Sequence, residues 1–419
     1  MTTILTGDSR ERLKELEDES IDALVTDPPY LINFMGKDWD KENSPAGDSS
    51  FWEEVLRVMK PGAHGLVFGH SRQHHRVMTA LEDAGFEIRD CLMWFYGSGF
   101  PKSHNIGKSV TKLQGDSDWE GWGTALKPAY EPIILVRKPL EKKLTIAKNV
   151  LKHGVGGINI DASRIGTTED FSNVKPRKMM SNQGSVKTDD HDHTASDTWQ
   201  AAKDKLQNLG RFPANVLLSH HPDCKVVGEV EDTRSGGERT KTIFSEKEPV
   251  SGGEGTGGTM KATTIRKVYE CDDDCAVKIL DEQSGTSKSS KRGNKYNKKT
   301  ENREGYTPVQ SDYREDNTYD DKGGASRFFY CAKVGKKERN AGDVRNTHPT
   351  VKPIKLMTYL TKLITPPNGK VLDPFMGSGS TGMACAMEGF DFVGIDMDED
   401  YVEISKARIE WARTQKEND

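Results

Sequence analysis

The chain has 419 residues, of which 34% are hydrophobic and 40 are glycine, so it is long enough for two or three domains with a true apolar core. No apolar run approaches the roughly 20 residues that a membrane span needs, and the N-terminus lacks the basic and apolar regions of a signal peptide. We therefore expect a cytoplasmic protein without membrane contact, and its six cysteines are too sparse for a disulfide scaffold.

The formal net charge of −5 hides an asymmetry along the chain. Residues 138–345 carry 37 basic and 32 acidic side chains, whereas the two flanks together carry 23 basic and 33 acidic ones. The flanks repel a polyanion and the middle attracts one. Any contact with nucleic acid is therefore expected in the middle of the chain.

The first 140 residues alternate short apolar strands with helices. Apolar runs predict strands at 3–7 and 21–26, and a helix from Arg10 to Leu16 joins them in a β-α-β pattern. A long loop at 97–130 interrupts this region and is long enough to suggest a function. The remaining predicted elements are a helix near 51–60 that stops at Pro61-Gly62, a strand at 65–69, a helix from Arg72 to Ala84, and strands at 86–96 and 132–137.

Regular patterning stops after about residue 140 and returns near the C-terminus. In between, Gly, Ser, Asn, Asp and Lys dominate, and residues 235–260 and 284–325 are expected to be loops or poorly ordered segments. The C-terminal predictions are a helix at 354–364, a strand at 370–373, a helix at 381–388, a strand at 392–396 and a last helix at 400–413.

These patterns predict one doubly wound α/β sheet that a large, loop-rich insertion interrupts. The C-terminal segment stops after two β-α units, and the N-terminal segment begins with a strand as though it continued them. We expect the C-terminal segment to occupy the first half of the sheet, with the chain ends adjacent. The predicted units are 1–140 and 346–419 for the two parts of the sheet domain and 141–345 for the insertion.

A glycine-rich turn in the C-terminal segment is the first candidate binding site. Asp373-Pro-Phe-Met-Gly-Ser-Gly379 follows a predicted strand and opens a helix, so Gly377 and Gly379 let the backbone approach a ligand. Asp396 ends the next strand, where an acid can bind ribose hydroxyls. The turn lacks the ending of a phosphate loop, and Gly382 only approximates the third glycine of a dinucleotide fingerprint. The alternative is a tight strand–helix turn that binds nothing.

The segment Asp27-Pro28-Pro29-Tyr30 ends the second predicted strand. Asp27 offers acceptor oxygens, and the residue before each proline is held extended, so the Pro28 carbonyl can also accept. An exocyclic amino group that donates to both acceptors has its lone pair drawn out of conjugation, and Tyr30 offers a planar ring to stack on a base. The alternative is a proline-stiffened strand end with an Asx turn.

Together these motifs resemble those of the DNA amino-methyltransferases, which transfer methyl from S-adenosylmethionine to adenine N6 or cytosine N4. The segment 27–30 looks like the catalytic motif of that family, and 373–379 looks like its cofactor motif. Their order, with an insertion between them, resembles the circularly permuted β group, whose insertion is the target-recognition domain. The resemblance covers roughly 1–140 and 345–413. It implies a Rossmann-like methyltransferase sheet and double-stranded DNA as partner, and it leaves the oligomeric state open, a homodimer included.

The resemblance also implies a set of cofactor contacts. The segment His348-Pro-Thr-Val-Lys-Pro353 would meet the methionine carboxylate through Lys352 and Thr350, and Asp8 would lie near the cofactor adenine. A histidine satisfied at a helix start is the alternative for His348, and a helix N-cap is the alternative for Asp8. The candidate cofactor residues are Asp8, Asp27, Thr350, Lys352, Asp373, Phe375, Gly377, Gly379 and Asp396; the candidate catalytic residues are Asp27, Pro28, Pro29 and Tyr30.

The implied chemistry requires an accessible base. A base inside a duplex cannot reach a cofactor at a strand end, so the target must be flipped out or single-stranded. Acceptors at Asp27 and Pro28 would then stabilise the positive charge that develops on the amino nitrogen. Phe34 and Trp39 are expected to line the base pocket, with ordinary core packing as the alternative.

Two short pairs of cysteine and histidine in the insertion suggest a structural zinc site. His220-His-Pro-Asp-Cys224 and Cys271-Asp-Asp-Asp-Cys275 offer four nitrogen and sulfur ligands, with His221 as an alternative to His220. A loop-rich region with little apolar content benefits from such a metal. The spacing within the second pair is wider than usual, and free thiols in an acidic turn are the alternative.

A basic cluster in the insertion is the candidate contact for DNA phosphates, which supply affinity without reading sequence. The alternative is a solvated charged face. The cluster consists of Lys288, Lys291, Arg292, Lys295, Lys298, Lys299 and Arg303.

Three other functions compete with methylation of adenine N6. Within the family, Asp at the first position of the catalytic motif leans towards adenine and Ser towards cytosine, so Asp27 favours adenine over cytosine N4. Methyltransferases of RNA or protein amides commonly carry Asn at that position and unpermuted motifs. An inactive DNA-binding homologue is disfavoured because the motif residues Asp27, Tyr30, Gly377, Gly379 and Asp396 are intact.

Overall fold

The structure is a computed structural model, and no helix among its described residues is both long and apolar enough to cross a membrane. Phe34, Trp39, the predicted loop at 235–260 and the basic residues from 291 to 303 lie outside the described residues. The described residues are 1–32, 44–96, 103–126, 128–165, 204, 209–221, 223–234, 262–273, 275–285, 287–288, 322–323, 325, 330–333 and 336–418.

The described strands and helices follow the chain from the N-terminus. The strands are β1 (Thr2–Thr6), β2 (Ile21–Thr26), β3 (Met59–Phe68), β4 (Glu87–Phe95), β5 (Tyr130–Arg137), β6 (Val216–His220), β7 (Lys225–Arg234), β8 (Ala262–Glu270), β9 (Ser287–Lys288), β10 (Lys322–Gly323), β11 (Tyr330–Lys333), β12 (Lys370–Asp373) and β13 (Asp391–Asp396). The α-helices are α1 (Ser9–Arg12), α2 (Ser49–Val58), α3 (His74–Asp83), α4 (Ile106–Gln114), α5 (Ile146–His153), α6 (Ala276–Ser284), α7 (Lys336–Arg339), α8 (Ile354–Ile364), α9 (Ser380–Glu388) and α10 (Glu399–Asn418), and short 3-10 turns lie at Leu13–Glu15, Pro45–Gly47 and Asp161–Ser163.

Nine strands form one central sheet in the order β1-β13-β12-β2-β3-β5-β4-β6-β11. All neighbouring pairs are parallel except those of β5, which is antiparallel to both β3 and β4. The two C-terminal strands lie between the two N-terminal ones: Phe392 of β13 pairs with Thr2, and Val371 of β12 pairs with Ala23. The predicted doubly wound α/β sheet, with the C-terminal segment in its first half and the chain ends adjacent, is confirmed.

Each face of the sheet packs against its own layer of helices. Leu66 and Phe68 of β3 belong to an apolar cluster that includes α8, α9 and α10, whereas Val67 belongs to a second cluster with α2 and α3. Every residue of β2 is buried. Such burial on both faces is typical of central strands in a parallel sheet covered by helices.

Pro61 and Gly62 do not end a helix at residue 60, because the helix α2 stops at Val58 and the strand β3 begins at Met59 and runs through both residues. The strand tolerates Pro61 beside an irregularity in its pairing with β2, where Ile21 pairs with Met59 but Ala23 pairs with His64.

Two helices and two strands of the central sheet have no counterpart among the elements that the sequence predicts. The helix α4 lies within the loop predicted at 97–130, and α5 follows β5; each has a side-chain N-cap, from Asn105 and Thr145, and ends at a left-handed glycine. The strands β6 and β11, within 141–345, extend the central sheet beyond β4. The boundaries of the three predicted units stay a prediction.

A glycine in β13 allows the turn after β12 to lie against the sheet. A Cβ atom added at Gly394 would lie 2.6 Å from Cε1 of Phe392 and closer still to the sulfur of Met376. The backbone N–H of Met376 donates to the Ile395 carbonyl at 2.9 Å. A side chain at Gly394 therefore pushes directly against the start of the glycine-rich turn.

We expect Gly394→Ala to lower the free energy of unfolding by about 1–3 kcal/mol, because the added methyl group overpacks a filled site. Gly157→Ala is the matched control, since a Cβ atom there meets nothing within 4 Å; it should change stability by less than about 0.5 kcal/mol. Urea unfolding of both variants measures the difference, and equal stabilities would contradict this account of Gly394.

Candidate active site

The acidic residues of the two sequence motifs lie at one edge of the central sheet. Asp27 follows β2, Asp373 ends β12 and Asp396 ends β13, and these three strands are parallel neighbours. Because β5 runs in the opposite direction, its first residues, including Glu131, lie at the same edge. Open α/β sheets bind ligands at this edge, beyond the carboxyl ends of the strands.

Asp373 holds the start of the glycine-rich turn in place. Its carboxylate accepts hydrogen bonds from the hydroxyl of Thr26 at 2.7 Å, the hydroxyl of Thr381 at 2.6 Å and the backbone N–H of Phe375 at 3.1 Å. Burial raises the pKa of Asp373 to about 7 despite these three donors. The residue thereby ties the end of β2 to the turn and to the first turn of α9.

The turn brings its backbone close to neighbouring residues at two glycines with positive φ. Gly377 has φ +51°, and a Cβ atom there would lie 2.8 Å from Nε2 of His348; Gly379 has φ +81°, and its Cβ atom would lie 2.7 Å from Cβ of Ser405. Left-handed backbone disfavours other residues. The buried guanidinium of Arg408 donates to the Ser378 carbonyl at 2.5 Å and fixes the turn from behind.

Asp396 faces the turn from the end of β13. Its carboxylate accepts from the backbone N–H of Gly377 at 2.7 Å and from that of Asp398 at 3.0 Å. Burial raises the pKa of Asp396. Each carboxylate oxygen has two lone pairs, so the group has the capacity to accept from further donors, such as a pair of hydroxyls.

Asp8 is the N-cap of the helix α1 and lies next in the chain to Gly7, which contacts Asp396. Its side chain accepts from the backbone N–H of Arg10 at 2.9 Å and pairs with the Arg10 guanidinium at 2.6 Å, and the hydrogen bond from Arg10 lowers the pKa of Asp8. The N–H of the preceding Gly7 donates to the Asp396 carbonyl at 2.8 Å. The structure thus shows the N-cap role, and contact with a cofactor adenine stays a prediction.

Phe375 and Thr350 are the remaining cofactor candidates, and His348 lies next to the glycine-rich turn. The ring of Phe375 packs against that of Phe51, with centroids 5.1 Å apart. Thr350 is exposed, and its carbonyl lies 2.8 Å from Nδ1 of His348. Burial lowers the pKa of His348, whose ring meets that of Tyr401 edge to face. His348 is therefore neutral at pH 7 and shapes the wall next to the turn.

A buried charge cluster surrounds Asp27. The ammonium of Lys352 donates to Asp27 Oδ2 at 2.5 Å and lies 3.3 Å from Glu131 Oε2. The Tyr30 hydroxyl lies 2.7 Å from Asp27 Oδ1 and 2.9 Å from Glu131 Oε2, so its one proton goes to either carboxylate. Lys352 also lies 4.8 Å above the ring centre of Phe68. We call Asp27, Tyr30, Glu131 and Lys352 the charge cluster.

The carboxylates hold the buried lysine in its charged form. Burial by itself lowers the pKa of Lys352, but the charges of Asp27 and Glu131 outweigh it, so the pKa lies above its ordinary value. Burial and then the charge of Asp27 raise the pKa of Tyr30 well above its ordinary value, so the hydroxyl stays protonated. Two carboxylates and one ammonium give the charge cluster a formal net charge of −1.

The structure adds two residues that the sequence analysis did not select. Glu131 precedes the apolar run 132–136, and an acid at the edge of such a run was the available signal. Arg408 interrupts the buried stripe of α10 and is fully buried, and burial lowers its pKa to about 10. The contacts of both residues join distant parts of the chain, which no local pattern reveals.

The ammonium of Lys352 lies in the charge cluster. Its ammonium contacts Asp27 and Glu131, whereas the contact with a methionine carboxylate stays a prediction. The backbone of Pro28 and Pro29 carries the motif away from β2, and Pro28 is buried.

The predicted zinc ligands also lie close together, near the end of the central sheet that β6 and β11 form. His220 ends β6, Cys224 precedes β7, Cys271 follows β8, and Cys275 is the N-cap of α6. Their four ligand atoms all lie within 4.8 Å of one another.

Comparison with known proteins gives a family match over most of the chain. A family model described as DNA methylase matches residues 21–407. The type II methyltransferase M.HindIII of Haemophilus influenzae is 30% identical over 201 residues, which cover 37% of this chain and 64% of that protein. The type II methyltransferase M.HinfI, also of Haemophilus influenzae, is 27% identical over 171 residues, which cover 36% of this chain and 43% of that protein. The matched segments thus span less than two thirds of these relatives.

Among solved structures, the PvuII DNA methyltransferase (cytosine-N4-specific) aligns over 100% of this chain and 93% of its own, with a TM-score of 0.41 and 14% identity. The M1.HpyAVI complex with SAM aligns over 98% of this chain and 100% of its own, with a TM-score of 0.38 and 14% identity.

We expect Lys352→Met to destabilise the protein in a pH-dependent manner. Because the pKa of Lys352 is raised in the folded protein, the stability that its ammonium contributes is fully present below about pH 10 and is lost only as the pH rises above the folded-state pKa. This contribution to stability is therefore constant between pH 5 and 8. Without the ammonium, Asp27 and Glu131 repel each other, and the pKa of one of them rises. A raised carboxyl pKa gives stability at low pH that is lost as pH increases, so the variant should lose about 3–5 kcal/mol at pH 8 and less at pH 5.

Urea unfolding at the two pH values measures this effect. Lys362→Met is the matched control, because Lys362 lies 2.9 Å from Glu388 in a partly exposed pair and should cost less than about 1 kcal/mol at either pH. Adding Glu131→Gln to Lys352→Met should remove most of the pH dependence. A loss for Lys352→Met that is equal at both pH values would contradict the like-charge explanation.

Proposed function

Because this chain belongs to the DNA methylase family, we propose that it transfers a methyl group from S-adenosylmethionine to N6 of adenine in double-stranded DNA. The observation that carries the proposal is the junction of the two motifs. Thr26, just before the segment 27–30, donates to Asp373 at the start of the glycine-rich turn. Acceptors for an amino group and a cradle for a cofactor thus lie side by side at one edge of the sheet.

The glycine-rich turn fits S-adenosylmethionine, which supplies a methyl group on a positively charged sulfur. Gly377 and Gly379 let the backbone of the turn pass directly against His348 and Ser405, where a Cβ atom would clash, and this holds the turn at the edge of the sheet where we place the cofactor. Asp396 offers its remaining lone pairs to the two ribose hydroxyls. Asp8, which follows the Gly7 that contacts Asp396, and Phe375, which packs against Phe51 of α2, form the wall of the proposed cofactor site on the side of α1 and α2.

Asp27 acts on the amino group of the target base. Its oxygens, with the Pro28 carbonyl, accept hydrogen bonds from the amino protons and direct the nitrogen lone pair towards the methyl group. S-adenosylmethionine would supply the methyl group and keep the carbon–sulfur electron pair, and the nitrogen would carry positive charge until one of its own two protons leaves. The net negative charge of the charge cluster stabilises that positive charge without reorganising during the reaction.

Lys352 and Glu131 position Asp27 in this proposal. The Lys352 ammonium fixes one oxygen of Asp27, and the Tyr30 hydroxyl lies against the other. Glu131 balances the charge of Lys352, so that the charge cluster remains negative and Asp27 still attracts a donor. We therefore place Lys352 with the catalytic group, and leave the cofactor carboxylate to Thr350 and its neighbours.

The substrate must present an unpaired base to this site. Asp27 and the turn lie at a strand end among buried side chains, so a base within a duplex cannot reach them and has to be flipped out. The Asp at the first motif position favours adenine within the resemblance, whereas the relatives of this chain leave the base open. Cytosine N4 is the alternative target, with the same cofactor and the same role for Asp27.

We expect Asp27→Ala to reduce methyl transfer by more than about 100-fold, because it removes a preorganised acceptor at the point where charge develops. Binding of S-adenosylmethionine should be nearly unchanged, and the fold should persist because Glu131 still pairs with Lys352. Asp396→Ala is the opposite control, which should weaken cofactor binding. Single-turnover rates with labelled cofactor and calorimetric titration measure the two effects; near-normal turnover in Asp27→Ala would remove Asp27 from the mechanism.

The methylated product is expected to be N6-methyladenine. DNA treated with the protein and S-adenosylmethionine is digested to nucleosides, which mass spectrometry identifies. N4-methylcytosine alone would show that the base assignment is wrong and leave the role of Asp27 intact. Absence of any methylated nucleoside, in protein that binds the cofactor, would overturn the proposed activity.

A further inference from the structure

We infer that His220, Cys224, Cys271 and Cys275 bind one structural Zn²⁺ ion, which fastens the β7–β8 hairpin and α6 to the edge of the central sheet. The inference does not depend on methyl transfer. The four residues come from two separate segments of the chain, 220–224 and 271–275, and their ligand atoms lie within 4.8 Å of one another. Such convergence of three thiols and an imidazole needs a physical cause.

Two distances within this group match those around a tetrahedral zinc ion. Nδ1 of His220 lies 3.4 Å from Sγ of Cys271 and 3.6 Å from Sγ of Cys275. Tetrahedral Zn²⁺, with bonds of roughly 2.0–2.1 Å to nitrogen and 2.3 Å to sulfur, holds such atoms about 3.6 Å apart. A single cation midway between the ligand atoms therefore accounts for both separations.

Three thiols and one imidazole nitrogen crowd together here with only weak hydrogen bonds among themselves and from nearby backbone N–H groups. The imidazole nitrogen lies close to two thiols but can pair with only one of them at a time. Cys224 and Cys275 are buried, with 4% and 0% of their surface exposed, so their sulfur atoms face one another rather than water. None of the three cysteines forms a disulfide. A metal ion satisfies every ligand at once.

The backbone around the ligands forms two tight turns of the kind that present cysteine to a metal. The N–H of Cys224 donates to the His221 carbonyl, and the N–H of Cys275 donates to the Asp272 carbonyl, both at 3.0 Å. The ring of Tyr269 stacks on that of His220, with centroids 4.1 Å apart and planes 26° apart. The ligands are therefore held in place by their own turns and by an aromatic neighbour.

The ligand chemistry selects zinc and a structural role. Nitrogen and sulfur donors suit Zn²⁺, whereas Mg²⁺ and Ca²⁺ prefer oxygen. Of the nearby acids, Asp273 pairs with Lys278, and Asp272 lies with His221 and Asp223 in a separate group outside these four ligands. Four protein ligands close the coordination sphere and leave no position for a substrate.

The position of the ion explains what it stabilises. A small apolar cluster, which includes Leu218 of β6 and Val277 of α6, surrounds the ligands. It is far smaller than either core beside the sheet, so it contributes little to holding the hairpin in place. Since a structural zinc ion contributes folding free energy directly, it supplies what this cluster lacks.

Metal analysis of the full chain, purified without added chelator, tests the inference. We expect about one equivalent of zinc per chain. His220→Ala and Cys275→Ser should lose it, whereas His220→Cys should keep it because cysteine is an equivalent ligand. His221→Ala and Cys91→Ser are the matched controls: both change a neighbouring histidine or a half-buried cysteine outside the four ligands, and both should retain zinc.

Cobalt titration of the wild-type chain after zinc removal keeps the test independent of variants that fail to fold. Tetrahedral Co²⁺ with thiolate ligands should give intense visible bands that saturate at one equivalent. Chelation should also open protease sites within 141–345, and added Zn²⁺ should close them. Folded wild-type protein that contains no zinc and gives no cobalt bands would overturn the inference, as would equal zinc contents in Cys275→Ser and Cys91→Ser.

Discussion

The buried ammonium of Lys352 lies between two carboxylates at one edge of the central sheet, and the neighbouring elements have to supply the charges that balance it. Moving an ion out of water costs several kcal/mol even after the protein relaxes, so Lys352 is tolerated there only because Asp27 and Glu131 both meet it. These residues follow β2, begin β5 and precede α8. The pairing is therefore available only to a chain that has placed all three elements at one edge, and charge balance at the site is coupled to the topology of the sheet.

The environment gives two neighbouring aspartates different roles. Asp373 accepts three hydrogen bonds from residues of this chain, and these bonds connect the end of β2 to the start of α9. Burial raises the pKa of Asp373 to about 7. Asp27 instead lies beside the ammonium of Lys352 and the hydroxyl of Tyr30, at the edge of the sheet. The same side chain thus supports the scaffold in one place and is proposed to act on substrate in the other.

The sequence alone predicts what depends on local pattern. Apolar runs place the central strands, and the C-terminal segment lies in the first half of the sheet, as predicted. The position of β12 and β13 between β1 and β2 is a finer detail, which the sequence analysis does not predict. The partners of Lys352 escape prediction, because the contact with Glu131 spans more than 200 residues and no periodicity encodes it. The strand β6 is also not predicted from the sequence, because its short apolar run lies among polar residues. Its pairing with β4 joins parts of the chain that are more than 100 residues apart.

The interleaving of the C-terminal strands has a consequence for the order of events during synthesis on the ribosome. β1 and β2 leave the ribosome first, yet each pairs with a strand made more than 340 residues later. Contacts so distant in sequence form slowly because a long loop must close before they contribute stability. For most of the time needed for translation, β1 therefore lacks its neighbour β13, and the edge that carries Asp27 lacks both the glycine-rich turn and Lys352. The nascent chain thus acquires the glycine-rich turn only after most of the sheet has been made, and an incomplete chain contains the segment 27–30 without the elements that hold it in place.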